Sequence, residues 1–121
     1  MRRSCFLVWA FSIGAMVIGT GTVRAQAYPN KPIRIVTTEA GGGADLVTRI
    51  VAQGLTAALS QPVIVENRGG SAIVPAQIAA QAPSDGYTLF LSGSNVWTLP
   101  LMQKVPYDPV RDFSPITLTN M

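Results

Sequence analysis

A run rich in β-branched residues, Ile33-Arg34-Ile35-Val36-Thr37, leads through Thr38, Glu39 and Ala40 into three consecutive glycines, Gly41, Gly42 and Gly43. An amphipathic pattern opens at once behind them, with apolar side chains at Leu46, Val47, Ile50, Val51, Leu55, Ala58 and Leu59. The stretch therefore reads as strand, tight turn and helix N-terminus. Glycine lets the backbone take positive φ and come close to a ligand, while the first helical turn leaves N–H groups unpaired at the positive end of the helix dipole. The geometry is a cradle for something small, polar and negatively charged.

The 121 residues suffice for one small domain and are few for two. Arg2 and Arg3 precede an apolar run over residues 5–18 broken only by Ser12 and Gly14, and small-residue triplets follow at Val23-Arg24-Ala25 and Ala25-Gln26-Ala27. This is the pattern of a secretory signal peptide over residues 1–25, cut after Ala25 or Ala27, and the run is too short for a membrane span. Cleavage after Ala25 removes Arg2, Arg3 and Arg24, which account for the formal charge of +3. The mature piece is neutral, so the pI near 9.5 gives no support for a nucleic-acid partner. Cys5, the one cysteine, leaves with the signal, so no disulfide braces what remains. The absence of histidine excludes a His-based dyad or metal site, scattered carboxylates argue against a transition metal, and no cofactor is expected.

Ala27-Tyr28-Pro29-Asn30-Lys31-Pro32 is an extended lead-in, its prolines discouraging helix. A strand over residues 33–37, the glycine turn and a helix over about 44–59 follow, with Gly54 tolerated in that helix for close approach to a sheet. Ser60-Gln61-Pro62 stops the helix. Val63-Ile64-Val65-Glu66 is a second strand, apolar enough to be covered on both faces, and Asn67-Arg68-Gly69-Gly70-Ser71 a second glycine turn. A second helix is placed from Pro75 to Ala82, a third strand over residues 87–91, a Ser92-Gly93-Ser94-Asn95 turn, then a short helix carrying Trp97, Leu99, Leu101 and Met102. A Pro-, Asp- and Tyr-punctuated loop over residues 105–114 leads to the start of a fourth strand over 115–119. The β-α-β-α-β order predicts an α/β fold, an open and mostly parallel sheet with right-handed crossovers and helices on both faces. Ligands in such sheets bind beyond the carboxyl ends of the strands, where all three small-residue turns lie.

Nucleotide motifs fail on spacing: a dinucleotide fingerprint begun at Gly41 meets Leu46 where it needs glycine, and no Gly-Lys-Ser/Thr closes a P-loop. The glycines are therefore either an anion cradle or simply a tight turn. Asp45 sits in the first helical turn with Arg49 four residues on, a surface ion pair if structural, a loop-orienting or ligand-binding acid if functional. Glu39 is an acid beside an anion cradle and opposes anions unless it faces away. Ser71, Ser92, Ser94 and Asn95 offer hydrogen bonds at strand ends, as turns and polar sites both do. Trp97 reads as core, and Tyr107-Asp108-Pro109-Val110-Arg111-Asp112-Phe113 as a structured surface loop.

Five segments carry a resemblance in order and spacing: Pro29-Asn30-Lys31-Pro32-Ile33-Arg34, Gly41-Gly42-Gly43-Ala44-Asp45, Gln61-Pro62-Val63-Ile64-Val65-Glu66-Asn67-Arg68, Ala82-Pro83-Ser84-Asp85-Gly86-Tyr87-Thr88-Leu89 and Val105-Pro106-Tyr107-Asp108-Pro109-Val110-Arg111-Asp112-Phe113. Together they resemble the periplasmic substrate-binding proteins of tripartite tricarboxylate transporters, the Bug-type receptors. The resemblance implies a periplasmic-binding-protein fold of two α/β lobes that close on a small organic acid or similar solute and pass it to a membrane permease. It also implies a monomeric, non-enzymatic protein of the periplasm. The resemblance implies that the loops matching residues 41–45 and 68–72 hold a ligand carboxylate through backbone N–H groups and water; with the strand-end side chains read above, the candidate site residues are Gly41, Gly42, Gly43, Ala44, Asp45, Gly69, Gly70, Ser71, Ser92, Ser94 and Asn95. Family members commonly carry Pro and aromatic residues where Thr37, Thr38 and Glu39 stand, and a longer glycine-rich turn at residues 71–75. Two lobes of about 100–150 residues each exceed this length, so residues 26–121 are expected to form only part of the first lobe. Two other readings compete: an exported α/β enzyme whose glycine turn is an oxyanion or phosphate site, and a truncated gene copy without activity.

Overall fold

The structure is a computed structural model and describes residues 27–119. The signal peptide expected over residues 1–25 lies outside them. Three parallel strands, β1 (Ile33–Thr37), β2 (Val63–Asn67) and β3 (Thr88–Phe90), form a sheet of order β2-β1-β3, with Ile33 opposite Val63 and Arg34 opposite Thr88. Helix α1 (Gly43–Leu59) joins β1 to β2, α2 (Ile73–Ala80) joins β2 to β3, and α3 (Asn95–Met102) follows β3.

Strand register fixes which face each helix covers. Thr48 of α1 reaches Thr37, on the face shared by Ile33 and Ile35. Ala76 of α2 belongs to the cluster packed on Phe90, which stands opposite Val36 on the other face. The sheet is thus doubly wound, as right-handed crossovers in opposite directions require. All of the central strand but Arg34 is closed off from water: Ile33, Ile35, Val36 and Thr37 are each at most 1% exposed. An α/β fold with a parallel sheet and helices on both faces is what the sequence led us to expect.

Several local expectations fail, each for a physical reason. Helix α1 turns Asp45, Thr48 and Ala52 to the sheet, and Leu46 and Ile50 of the apolar pattern are more than 60% exposed. Small and hydrogen-bonded side chains let the helix sit close, so they set its rotation. Gly54 is exposed with open space about it and mediates no close approach. Helix α2 begins at Ile73, two residues before Pro75, because Ser71 Oγ accepts the Ile73 N–H at 3.1 Å and a proline without N–H is harmless anywhere in the first turn. It ends at Ala80 rather than Ala82. Strand β2 is covered on one face only, leaving Ile64 55% exposed. Residues 115–119 pair with no strand among the described residues.

Trp97 is 48% exposed, and the inward residue of α3 is its neighbour Val96. Tyr107, assigned to a surface loop, is 7% exposed and packs with Ala76 and Val96 and edge-on against Phe113. Its hydroxyl donates to the Val96 carbonyl at 3.2 Å. That carbonyl lies four residues before Pro100, which has no N–H to give it. The acids of the same segment are used in its own turn: Asp108 accepts the N–H groups of Val110 and Arg111, and Asp112 accepts that of Asp108.

The lead-in is strapped to the turn before β3. Tyr28 Oη donates to the Gly86 carbonyl at 2.7 Å, Tyr87 Oη donates to Asn30 Oδ1 at 2.8 Å, and Lys31 Nζ sits 3.1 Å from Asp85 and 4.2 Å above the Tyr87 ring.

Candidate functional site

Parallel pairing places the ends of all three strands on one edge. The order β2-β1-β3 reverses the direction of winding between β1 and β3, and such a switch point opens a crevice at the strand ends. Thr37 closes β1 there. Its carbonyl accepts the Arg68 N–H at 2.9 Å and its hydroxyl donates to the Leu91 carbonyl at 2.9 Å. The Thr48 hydroxyl donates to the Ala44 carbonyl at 2.6 Å and lies 3.2 Å from Thr37 Oγ1, tying α1 to the strand end.

The glycine turn is fastened from both sides. Asn67 at the end of β2 donates through Nδ2 to the Thr38 carbonyl at 3.2 Å and to Asp45 Oδ1 at 2.8 Å. Gly41 takes φ +83°, a left-handed conformation suited to glycine, and its N–H donates to Asp45 Oδ2 at 2.9 Å. Arg49 Nε stands 3.1 Å from both carboxylate oxygens, and its guanidinium also donates to Asn67 Oδ1 at 3.2 Å. The expectation of a surface ion pair is corrected here: Asp45 is 5% exposed, and its charge is met by three donors. The Gly41 N–H, then Asn67 and Arg49, hold its pKa down to about 2. Asp45 orients the loop.

Gly42 is the N-cap of α1 and supplies no side chain. The first helical bond runs from the Leu46 N–H to the Gly42 carbonyl at 3.1 Å. The Gly43 and Ala44 amides ahead of it have no acceptor in the helix, and no side chain among the described residues caps them. Gly69 and Gly70 form the turn after β2, with Gly70 at φ +102°, and Ser71 Oγ accepts the Ile73 N–H at the start of α2. Arg68 and Arg34 both bind Glu66; the Arg68 hydrogen bond is the larger influence holding that carboxyl below its usual range. After β3, the Ser92 hydroxyl oxygen is enclosed and has no hydrogen-bond partner among the described residues. The Ser94 carbonyl accepts the Trp97 and Thr98 N–H groups, and Asn95 is exposed at the start of α3. A shallow groove of about 520 Å³ between α1 and β2, lined by Ala52, Thr56, Val63 and Val65, runs along the sheet flank instead.

Comparison with known proteins decides the family. The family model described as the tripartite tricarboxylate transporter family receptor matches residues 47–121. The chain belongs to that receptor family. Among its relatives, a UPF0065 protein of Cupriavidus necator is 37% identical over 94% of this chain and 37% of its own length. Protein BugT of Bordetella pertussis is 38% identical over 79% of this chain and 31% of its own. Two solved structures, of a periplasmic transporter and of the periplasmic binding protein BugD, each superpose with a TM-score of 0.69, at 40% and 36% identity, covering 75% and 74% of this chain and 32% and 31% of theirs. An R. palustris protein solved with adipate aligns at 27% identity and a TM-score of 0.56, over 57% of this chain and 24% of its own. The chain therefore spans about a third of the length of the relatives it matches.

For this member of the receptor family, sequence reasoning placed the turns and missed what holds them. Asn67 and Thr48 were given no role and Thr37 was noted only as a departure from the family pattern, yet all three fasten the glycine loop to both neighbouring strands. Asn67 alone carried a signal, as an amide at a strand end facing a turn.

Proposed function

We propose that this chain is the cradle-bearing part of an extracytoplasmic solute receptor. It binds a small organic acid in the periplasm and delivers it to the membrane permease of a tripartite transporter, without chemical turnover. The observation that carries this reading is the pair of uncapped amides, Gly43 and Ala44, at the N-terminus of a 17-residue helix opening on the crevice between β1 and β3. Gly69, Gly70, Ser71, Ser92, Ser94 and Asn95, in the turns after β2 and β3, are the further candidate ligand contacts, and Gly41, Gly42 and Asp45 shape the turn after β1.

A prebuilt cradle keeps the ligand from having to order the loop on binding. Closure of a second lobe would complete the site and select the ligand-bound state. Family membership and the likeness to BugD support this reading. Calorimetric titration of the full mature receptor with adipate, glutarate, citrate and their amino-bearing analogues tests it. Saturable binding of at least one acid, with the acid recovered unchanged, is expected; no binding across the panel, or conversion of any member, refutes it.

A further inference from the structure

The turn after β3 is held by more than backbone. Pairing of β1 with β3 begins with the Arg34 N–H on the Tyr87 carbonyl at 2.8 Å and reaches the Leu91 N–H on the Val36 carbonyl at 3.0 Å. The next rung of a parallel ladder would run from the Thr38 N–H to the Leu91 carbonyl. The Thr37 hydroxyl supplies it instead, at 2.9 Å. A side chain in place of the amide lets the main chain leave the sheet at Thr38 for the glycine turn while the end of β3 stays gripped. Toward β2 the backbone ladder continues, with the Thr37 carbonyl accepting the Arg68 N–H at 2.9 Å.

Thr37 Oγ1 also lies 3.2 Å from Thr48 Oγ1, whose proton goes to the Ala44 carbonyl in the first turn of α1 at 2.6 Å. Leu91, Thr37, Thr48 and Ala44 therefore form a line of polar atoms from the turn after β3 to the turn after β1. Both threonines are 0% exposed. Valine would fill nearly the same space at either position, and a buried hydroxyl costs free energy unless it is bonded, so packing alone does not call for them.

We propose that Thr37, supported by Thr48, is a positioning residue for solute binding. Shut away from the crevice, it does not touch the solute; it fixes the spacing between the turn after β3 and the turn after β1. This rests on the receptor reading and extends it from which turns meet the solute to what sets their separation. A solute that contacts both turns then has no need to order one against the other.

The test titrates the full mature receptor and its variants by calorimetry with adipate, glutarate, citrate and their amino-bearing analogues. Thr37→Val keeps the β-branched shape and deletes the hydroxyl, and is expected to weaken the best-bound acid by about three- to tenfold, the worth of one hydrogen bond. Thr37→Ser, which restores the hydroxyl, should bind within about twofold of the unsubstituted receptor. Gly86→Ala strains the opposite end of the sheet and should lower the unfolding midpoint while leaving affinity within the same about twofold margin, which separates positioning from general loss of stability. Should Thr37→Val not fold, Thr48→Val decides, with a loss in the same direction expected and unchanged affinity overturning the inference. Unchanged affinity in Thr37→Val, equal losses in the valine and serine variants, or an equal loss in Gly86→Ala overturns it as well and leaves the receptor reading intact. Failure of the unsubstituted receptor to bind any of the acids overturns both.

Discussion

Helix α3 contains a proline whose consequence can be measured. Pro100 cannot donate to the Val96 carbonyl, and the Tyr107 hydroxyl takes the place of the missing N–H at 3.2 Å. Both Val96 and Tyr107 are 7% exposed, so removing the hydroxyl leaves a carbonyl shut away from water. Burial also raises the Tyr107 pKa, which keeps the phenol a donor over the physiological range. Tyr107→Phe preserves the ring contacts with Phe113 and deletes only the hydrogen bond, at an expected cost of about 1–2 kcal/mol. Pro100→Ala supplies an N–H to the same carbonyl. In the Pro100→Ala background, Tyr107→Phe should cost no more than about 0.5 kcal/mol, giving a coupling of about 1 kcal/mol. Urea unfolding of the four proteins, with equal m-values, reads the cycle from the midpoints. Equal cost of Tyr107→Phe in both backgrounds would refute the claim that the phenol stands in for a backbone amide.

Four further outcomes follow from the geometry. Gly41→Ala must hold a Cβ at φ +83° and should lose about 1 kcal/mol, whereas Gly43→Ala, helical and in open space, should gain about 0.5–1 kcal/mol; similar midpoints for the two would contradict the loop geometry. Gly54→Ala should likewise stabilise by about 0.5–1 kcal/mol in thermal unfolding, since nothing lies near its Cβ position. Asp45 has a pKa of about 2 in the fold against 3.8 for an ordinary aspartate, so its contribution to stability is fully present above about pH 4 and is lost as pH falls toward 2; Asp45→Asn, which has one acceptor oxygen for three donors, should lower stability at pH 7 and flatten the acid limb between those values in a pH series of unfolding midpoints. Gly86→Ala combines φ +79° with a Cβ 3.0 Å from Tyr28 Oη, and should cost about 1–2 kcal/mol and raise amide exchange over the lead-in; unchanged protection there would show that the strap is not held at Gly86.

The elements legible in the sequence are those that a local pattern defines. β1 was readable because its β-branched run ends in glycines, and α1 because its amphipathic period starts straight after them. The winding of the sheet followed from element order alone. Features that depend on residues distant in the chain were not readable. Leu46 and Ile50 look like core by periodicity, but three buried positions of modest size, Asp45, Thr48 and Ala52, set the helix rotation through contacts to Thr37 and Asn67. Tyr107 looked like loop because the carbonyl that it serves lies eleven residues earlier. In the candidate site, the position of the turns was readable, but the use of Asp45 as a fastener rather than a surface partner was not, since its partner Asn67 comes from another strand.

The sheet contains no hairpin. Ile33 meets Val63 thirty residues later, Arg34 meets Thr88 fifty-four residues later, and β2 and β3 never touch each other. Every ladder runs through β1, so no part of the sheet can form until a long stretch of chain has been closed onto the first strand. Loop closure precedes the reward of pairing, and topologies dominated by such distant contacts fold slowly. The same arrangement that brings three turns to one rim therefore delays the rim's assembly: the β1–β2 ladder can close once residue 67 has been made, but the β3 side waits for residues 88–90.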